Sequence, residues 1–191
     1  TAIHKSKDIT LYQQGQTNFL LNNEANSQAR KHAIAHGAGA CSMGFKVQNS
    51  KHALNHTIKQ GANPFNDNDN KYDKDHLAID GIGGSLIYFC DDNISPYKNF
   101  DFIAKVKAKH SSDLYSIDHL THNVYQGNMN QWANFYIRLF NFHEIRSFDI
   151  NGEKTGLLSQ AMGSPCGKIK IPLNESKDES SQIEEFLKDY K

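Results

Sequence analysis

A carboxylate and two imidazoles stand close together at Asp118, His119 and His122, in the run Ser116-Ile117-Asp118-His119-Leu120-Thr121-His122-Asn123-Val124. Neutral imidazole is a good ligand for iron and related transition metals, and a ligand carried on a strand has a fixed aim. Alternation along a strand puts Ile117, His119 and Thr121 on one face and Asp118, Leu120 and His122 on the other. Only one of the two imidazoles can then serve a given cavity. The competing reading of His119 is a hydrogen-bonded core histidine. The ten histidines are otherwise scattered, with no HExxH and no closely spaced HxH, so local spacing does not assemble a complete metal site.

Other polar clusters read more simply. Asp91-Asp92 and Asp67-Asn68-Asp69 look like cation-binding carboxylates, but they lack the glycine and terminal glutamate of a calcium loop and fit polar loop tips. Gly81, Gly83 and Gly84 form GIGGS, which precedes a strand instead of opening a helix, so a tight turn suffices and a phosphate cradle does not fit. Cys166 has no base nearby in sequence and reads as an inert or surface thiol.

The elements that would position these groups repeat. An alternating run (Cys41, Met43, Phe45, Val47) leads into the helical stretch SKHALNHTIKQ, which stops at Gly61. The order recurs after Tyr115: the alternating run around His119, a helix over NMNQWANFYIRLF, and then a strand. In that second helix Met129, Trp132, Phe135, Tyr136 and Leu139 recur at spacings of three and four, giving one apolar face to lay on a sheet, with Asn128 as N-cap. HEIRSFDI, TGLLSQAM and GKIKIPL follow as strands, separated by turn signals at Asn151-Gly152 and Ser164-Pro165. Before residue 40, DITLYQQ and TNFLLNN form a hairpin and NSQARKHAIAHG a helix; GSLIYFCDD is a buried strand. These elements divide into an N-terminal domain over 1–93, a polar linker over 94–114 and the first part of a second domain over 115–191.

Composition narrows the class of partner. Lys plus Arg and Asp plus Glu are equal at 21 each among 191 residues, with 38% hydrophobic content. The chain can bury a core, and it has no overall field to attract nucleic acid or an anionic membrane. No apolar run nears the roughly 20 residues of a membrane span, and TAIHKSKDIT has no h-region. The three cysteines, Cys41, Cys90 and Cys166, are widely spaced with no CxxC, which fits a reducing cytoplasm. A starting Thr and an uncapped helical pattern at EEFLKDYK read as cut ends.

The letters go further. SIDHLTHNVYQGNMNQWANFYIRLFNFHEIRSFDINGEKTGLLSQAMGSPCGKIKIPLNE, followed by SQIEEFLKDY, resembles the start of the catalytic domain of the bacterial 4-hydroxyphenylpyruvate dioxygenase family, and SKDITLYQQGQTNFLLN and GIGGSLIYF resemble its first domain. The resemblance covers nearly the whole chain, least securely the linker. It implies an α+β vicinal oxygen chelate fold of repeated βαβββ modules with curled mixed sheets, the C-terminal domain being incomplete. It further implies one Fe(II) per intact subunit, held by two His and one Glu, with His119 as the first ligand and the other two beyond residue 191. Gly44 is aligned with His119 in the first domain, consistent with a metal-free site there. Ser159, Asn174 and Gln182 match substrate-contacting positions, where the competing reading is ordinary strand and loop polarity. The implied reaction takes 4-hydroxyphenylpyruvate, a 2-oxo acid, and O2 to homogentisate and CO2, in a homo-oligomer. Two rivals share the fold: a hydroxymandelate synthase-like dioxygenase and a metal-free binding module.

Overall fold

A computed structural model of the chain describes residues 1–66, 77–93, 97–103, 114–152 and 155–190. The Asp67-Asn68-Asp69 cluster and much of the expected linker lie outside the described residues. Strands β1 (Ala2–His4), β2 (Ile9–Gln14), β3 (Thr17–Asn22) and β7 (Phe100–Phe102) form one sheet in the order β3-β2-β1-β7. β7 thus falls within the stretch expected to link two domains. The β2–β3 hairpin closes through Gly15 at φ +58°, where an added Cβ would stand 2.8 Å from the Tyr115 carbonyl. Gln16 donates its N–H to that carbonyl at 2.8 Å, so the hairpin tip holds the backbone just upstream of the Asp118–His119 pair.

The second unit runs β4 (Ser42–Lys46), α2 (Ser50–Lys59), β5 (Leu77–Asp80) and β6 (Leu86–Cys90). β4 lies parallel to β6, and β5 is antiparallel to it. A single antiparallel bridge from Pro64 to Ile79 extends the sheet past β5. Asn49 caps α2 by accepting from His52 N, and Asp91 Oδ2 accepts from both the N–H and the hydroxyl of Ser50 at 2.8 Å. The Asp91 carboxylate is therefore tied to the backbone at a helix start. Gly61 ends the helix at φ +85°, and GIGGS folds as a 3-10 turn over Ile82–Gly84.

The third unit runs β8 (His122–Val124), α3 (Met129–Phe140), β9 (His143–Asn151), β10 (Gly156–Gly163) and β11 (Lys170–Ser176), and α4 (Gln182–Tyr190) follows. Its sheet order is β8-β11-β10-β9, with β8 parallel to β11 and the other pairs antiparallel. First strand parallel to last is the arrangement of the second unit too, so the duplication read from the sequence holds at the level of topology.

One core serves both units. Tyr136, Leu139 and Ala133 of α3 are buried with Met162, Ile171 and Leu173 of the sheet beneath, and with Phe45, Ile79, Ile87 and Phe89 of the second unit. Phe140 meets Phe45 edge-on at 5.3 Å between ring centroids, and Tyr136 lies 5.4 Å from Phe142. Arg138 adds a hydrogen bond to the Gln60 carbonyl at the end of α2. The apolar face of α3 is wide because it covers two surfaces. Among the described residues, no helix is long and apolar enough to cross a membrane.

Candidate functional site

Register divides the third sheet into two faces. Paired residues of neighbouring strands point the same way, and successive residues alternate. Met162 pairs with Ile171, Gln160 with Leu173 and Leu158 with Glu175 on the face covered by α3. Ser159 pairs with Asn174, and Ala161 with Pro172, on the face opposite. Phe148 of β9 is the register partner of Ser159, and Asn123 of β8 that of Asn174. Ser159, Asn174, Asn123 and Phe148 therefore share one face across four strands. Arg146 lies on it as well, with its guanidinium 4.9 Å from the Phe148 ring centroid, a cation–π contact. The face is open, for β9 is exposed along all nine of its residues.

His122 belongs to the other side. Its Nε2 lies 2.8 Å from the Tyr136 hydroxyl and its ring stacks on that of Tyr136 at 5.9 Å. Burial lowers the His122 pKa to about 4 and pushes the Tyr136 phenol well above its usual range. The imidazole is thus neutral near pH 7 and locked to α3. Alternation correctly separated it from the candidate face.

His119 departs from expectation. The regular strand starts only at His122; Leu114 to Thr121 are exposed and outside any strand, with the His119 side chain 49% exposed. The cause lies in β11. The Lys170 carbonyl faces β8 and accepts from Leu120 N at 3.4 Å. Two residues on, Pro172 faces the same way and has no N–H to give, so the ladder fails opposite Thr121. His119 Nδ1 nevertheless has a partner, Asp118 Oδ2 at 2.7 Å, and Lys170 Nζ holds the other Asp118 oxygen at 3.1 Å. The hydrogen bond from His119, and then Lys170, keeps the Asp118 carboxyl below its usual range. A carboxylate only accepts, so Nδ1 carries a proton, and in the neutral ring Nε2 then keeps a lone pair. That is the chemistry of a metal donor. Among the described residues no group of three or more His, Cys, Asp or Glu could hold a metal ion, so His119 stands on this face as a single donor.

Gln182 opens α4 and is exposed. Its place is fixed by Ser181, whose hydroxyl accepts from Glu184 N at 3.2 Å and lies 2.5 Å from Ser176 Oγ at the end of β11. Asp178 Oδ2 accepts from Gly156 N at 2.8 Å, tying the same turn to the start of β10. Ser159 also borders an open depression beside the start of α3, but most of that lining (Met129, Asn130, Ser147, Asp149, Leu158 and Gln160) lies on the α3 side.

Several contributors were not visible in the sequence. Asn128 occupies the N-cap of α3 without a side-chain bond; instead Glu175 Oε2, from β11, accepts from Met129 N at 2.8 Å. Phe148, Arg146 and Asn123 join the face only once register is known. Gly44, set against His119 in the sequence, lies in β4 beside Tyr88 of β6, and no residue of β4 is a histidine. Cys41, Cys90 and Cys166 are all free.

Comparison with known proteins places these features in a family. Residues 1–119 match the family described as hydroxyphenylpyruvate dioxygenase, N-terminal, and residues 116–187 match the glyoxalase/bleomycin resistance protein/dioxygenase superfamily. The 4-hydroxyphenylpyruvate dioxygenase of Legionella pneumophila (strain Corby) is 52% identical over 189 residues, covering 99% of this chain and 54% of its own length. That of Pseudomonas aeruginosa is 45% identical over 194 residues, covering 100% and 54%. A solved mutant of 4-hydroxymandelate synthase from Streptomyces coelicolor superposes with a TM-score of 0.79 at 15% identity, covering 95% of this chain and 55% of that one, which supports the fold alone. The chain spans about half the length of the curated relatives it matches. With its vicinal oxygen chelate units and its two successive family matches, the chain belongs to the hydroxyphenylpyruvate dioxygenase family.

Proposed function

We propose that this chain is the first part of an Fe(II)-dependent 4-hydroxyphenylpyruvate dioxygenase, which converts 4-hydroxyphenylpyruvate and O2 to homogentisate and CO2 in tyrosine and phenylalanine breakdown. The observation that carries the reading is the register of β10 and β11. It sets Ser159 and Asn174 side by side on the sheet face turned away from α3, with Phe148 next to them. His119, Thr121 and Asn123 have the same parity, so a strand continued back from His122 would bring His119 to this face too.

The iron, when bound, supplies binding of the 2-oxo acid group and activation of O2. The chain's own residues do the rest. His119 gives a lone pair from Nε2 while Asp118 holds its Nδ1 proton, and the second His and the Glu come from sequence after residue 191. Ser159 and Asn174 hydrogen-bond the organic substrate, Gln182 reaches it from the start of α4, and Phe148 offers a ring for its aromatic end. Residues 1–93 form the N-terminal domain, without an iron site, 94–114 the linker, which also supplies β7 to the first sheet, and 115–191 the opening of the catalytic domain. A homo-oligomer in a reducing cytoplasm completes the proposal, in keeping with three free thiols.

Full-length protein supplied with Fe(II), 4-hydroxyphenylpyruvate and O2 should release homogentisate and CO2 in equal amounts. Hydroxymandelate as product would replace the reading with the synthase. Ligand binding without oxygen uptake would replace it with a binding module. The 191-residue chain alone should bind iron weakly and show no turnover, and activity there would refute the assignment of the missing ligands.

A further inference from the structure

Away from that face, α1 (Gln28–His36) carries a second imidazole pair. His32 and His36 stand four residues apart on the helix, and their rings lie 4.4 Å apart at 34°. Residues at this spacing lie on one helix face, one turn apart. Two nitrogens each about 2.0–2.1 Å from one ion are within about 4 Å of each other, a separation that rings at 4.4 Å can meet by side-chain adjustment alone.

The outer hydrogen bond of a metal-binding histidine is also in place. His36 Nδ1 lies 2.6 Å from the Tyr190 main-chain carbonyl at the end of α4. A carbonyl only accepts, so Nδ1 must carry a proton, and in the neutral ring Nε2 then has the lone pair that a ligating histidine needs. His32 is half-buried, with its ring against that of His36. The pair His52 and His56 on α2 provides an internal control. It has the same spacing, but among the described interactions no ring contact joins the two.

We propose that His32 and His36 form a surface site for a divalent transition cation that favours imidazole, such as Zn2+, Ni2+ or Cu2+, distinct from the iron proposed at His119. Two protein donors leave the remaining positions to water, so the site is weak and exchangeable. Because His36 is bonded to the end of α4, occupancy joins α1, from the N-terminal part of the chain, to the helix that begins at Gln182.

Ni2+ titrated into the 191-residue protein, followed by calorimetry, tests the site in the wild type and in His32→Gln, His36→Gln, His52→Gln and His119→Ala variants. His32→Gln and His36→Gln should each weaken one equivalent by about tenfold or more, as expected when a metal contact is lost. His52→Gln and His119→Ala should leave that equivalent in place. Thermal melts without metal check that all variants fold alike, and added Ni2+ should raise the melting temperature of the wild type more than that of the His36→Gln variant. Unchanged binding in both α1 variants overturns the proposal, and so does loss of the equivalent only in His119→Ala or His52→Gln.

Discussion

In the second unit the first strand, β4, pairs with β6 over five residues from Ser42 to Lys46, whereas in the third unit β8 pairs with β11 over only three. The two strands occupy the same place in the same topology. β8 carries His122 and β11 carries Pro172, whereas β4 has no histidine and β6 no proline. The third unit thus trades ladder hydrogen bonds for a side-chain anchor, the His122–Tyr136 bond, and leaves the segment carrying Asp118 and His119 outside the sheet. The second unit completes its sheet; the third stops its sheet short and ties down what remains.

This contrast sets the expected effects. Tyr136→Ala removes the most buried aromatic of α3 and the partner of His122, and should cost about 3–5 kcal/mol in urea unfolding. Leu54→Ala on α2, only partly buried, should cost less; equal costs would remove the distinction between the units. Acidification gives the next effect. The folded His122 pKa, about 4, is below its unfolded value near 6.5, so the unfolded state binds the extra proton first. Stability from this group is intact above about pH 6.5 and is lost progressively as pH falls towards 4, by about 3 kcal/mol in all. A His122→Gln variant should lose that part of the pH dependence, as measured by unfolding at pH 7 and pH 4.5.

Substitution on the open face should act on catalysis and not on folding. Ser159→Ala and Asn174→Ala are each expected to lower kcat/KM of full-length protein by about 10-fold, and as register partners they should be non-additive in a double-mutant cycle. Strict additivity would place them in separate environments. The smallest effect concerns Glu175. Glu175→Ala leaves Met129 N without its acceptor and should destabilise the protein by about 1 kcal/mol, with Asn128→Ala near neutral because its side chain makes no capping bond.

Much of the third unit was legible in the sequence because its signals are local. The stripe from Met129 to Leu139 announces α3, and Asn151-Gly152 and Ser164-Pro165 separate β9, β10 and β11 close to their observed ends. The unseen parts depend on distance along the chain. Glu175 reaches Met129 across 46 residues and Arg138 reaches Gln60 across 78, and no periodicity encodes such contacts. Phe45 and Phe89 read as core of their own sheet; that they share that core with Phe140 follows only from packing. The short β8 was the main misreading, since the cause sits in another strand. Asp118 as the partner of His119 was adjacent in sequence, yet strict alternation assigned it to the opposite face.

The central claim is that His119, and not His122, gives its imidazole to iron. Iron content per chain, measured on purified full-length His119→Gln and His122→Gln proteins after Fe(II) loading and desalting, tests this most directly. His119→Gln should retain far less than one iron while His122→Gln retains close to one. Stoichiometric iron in the His119→Gln protein would contradict the account.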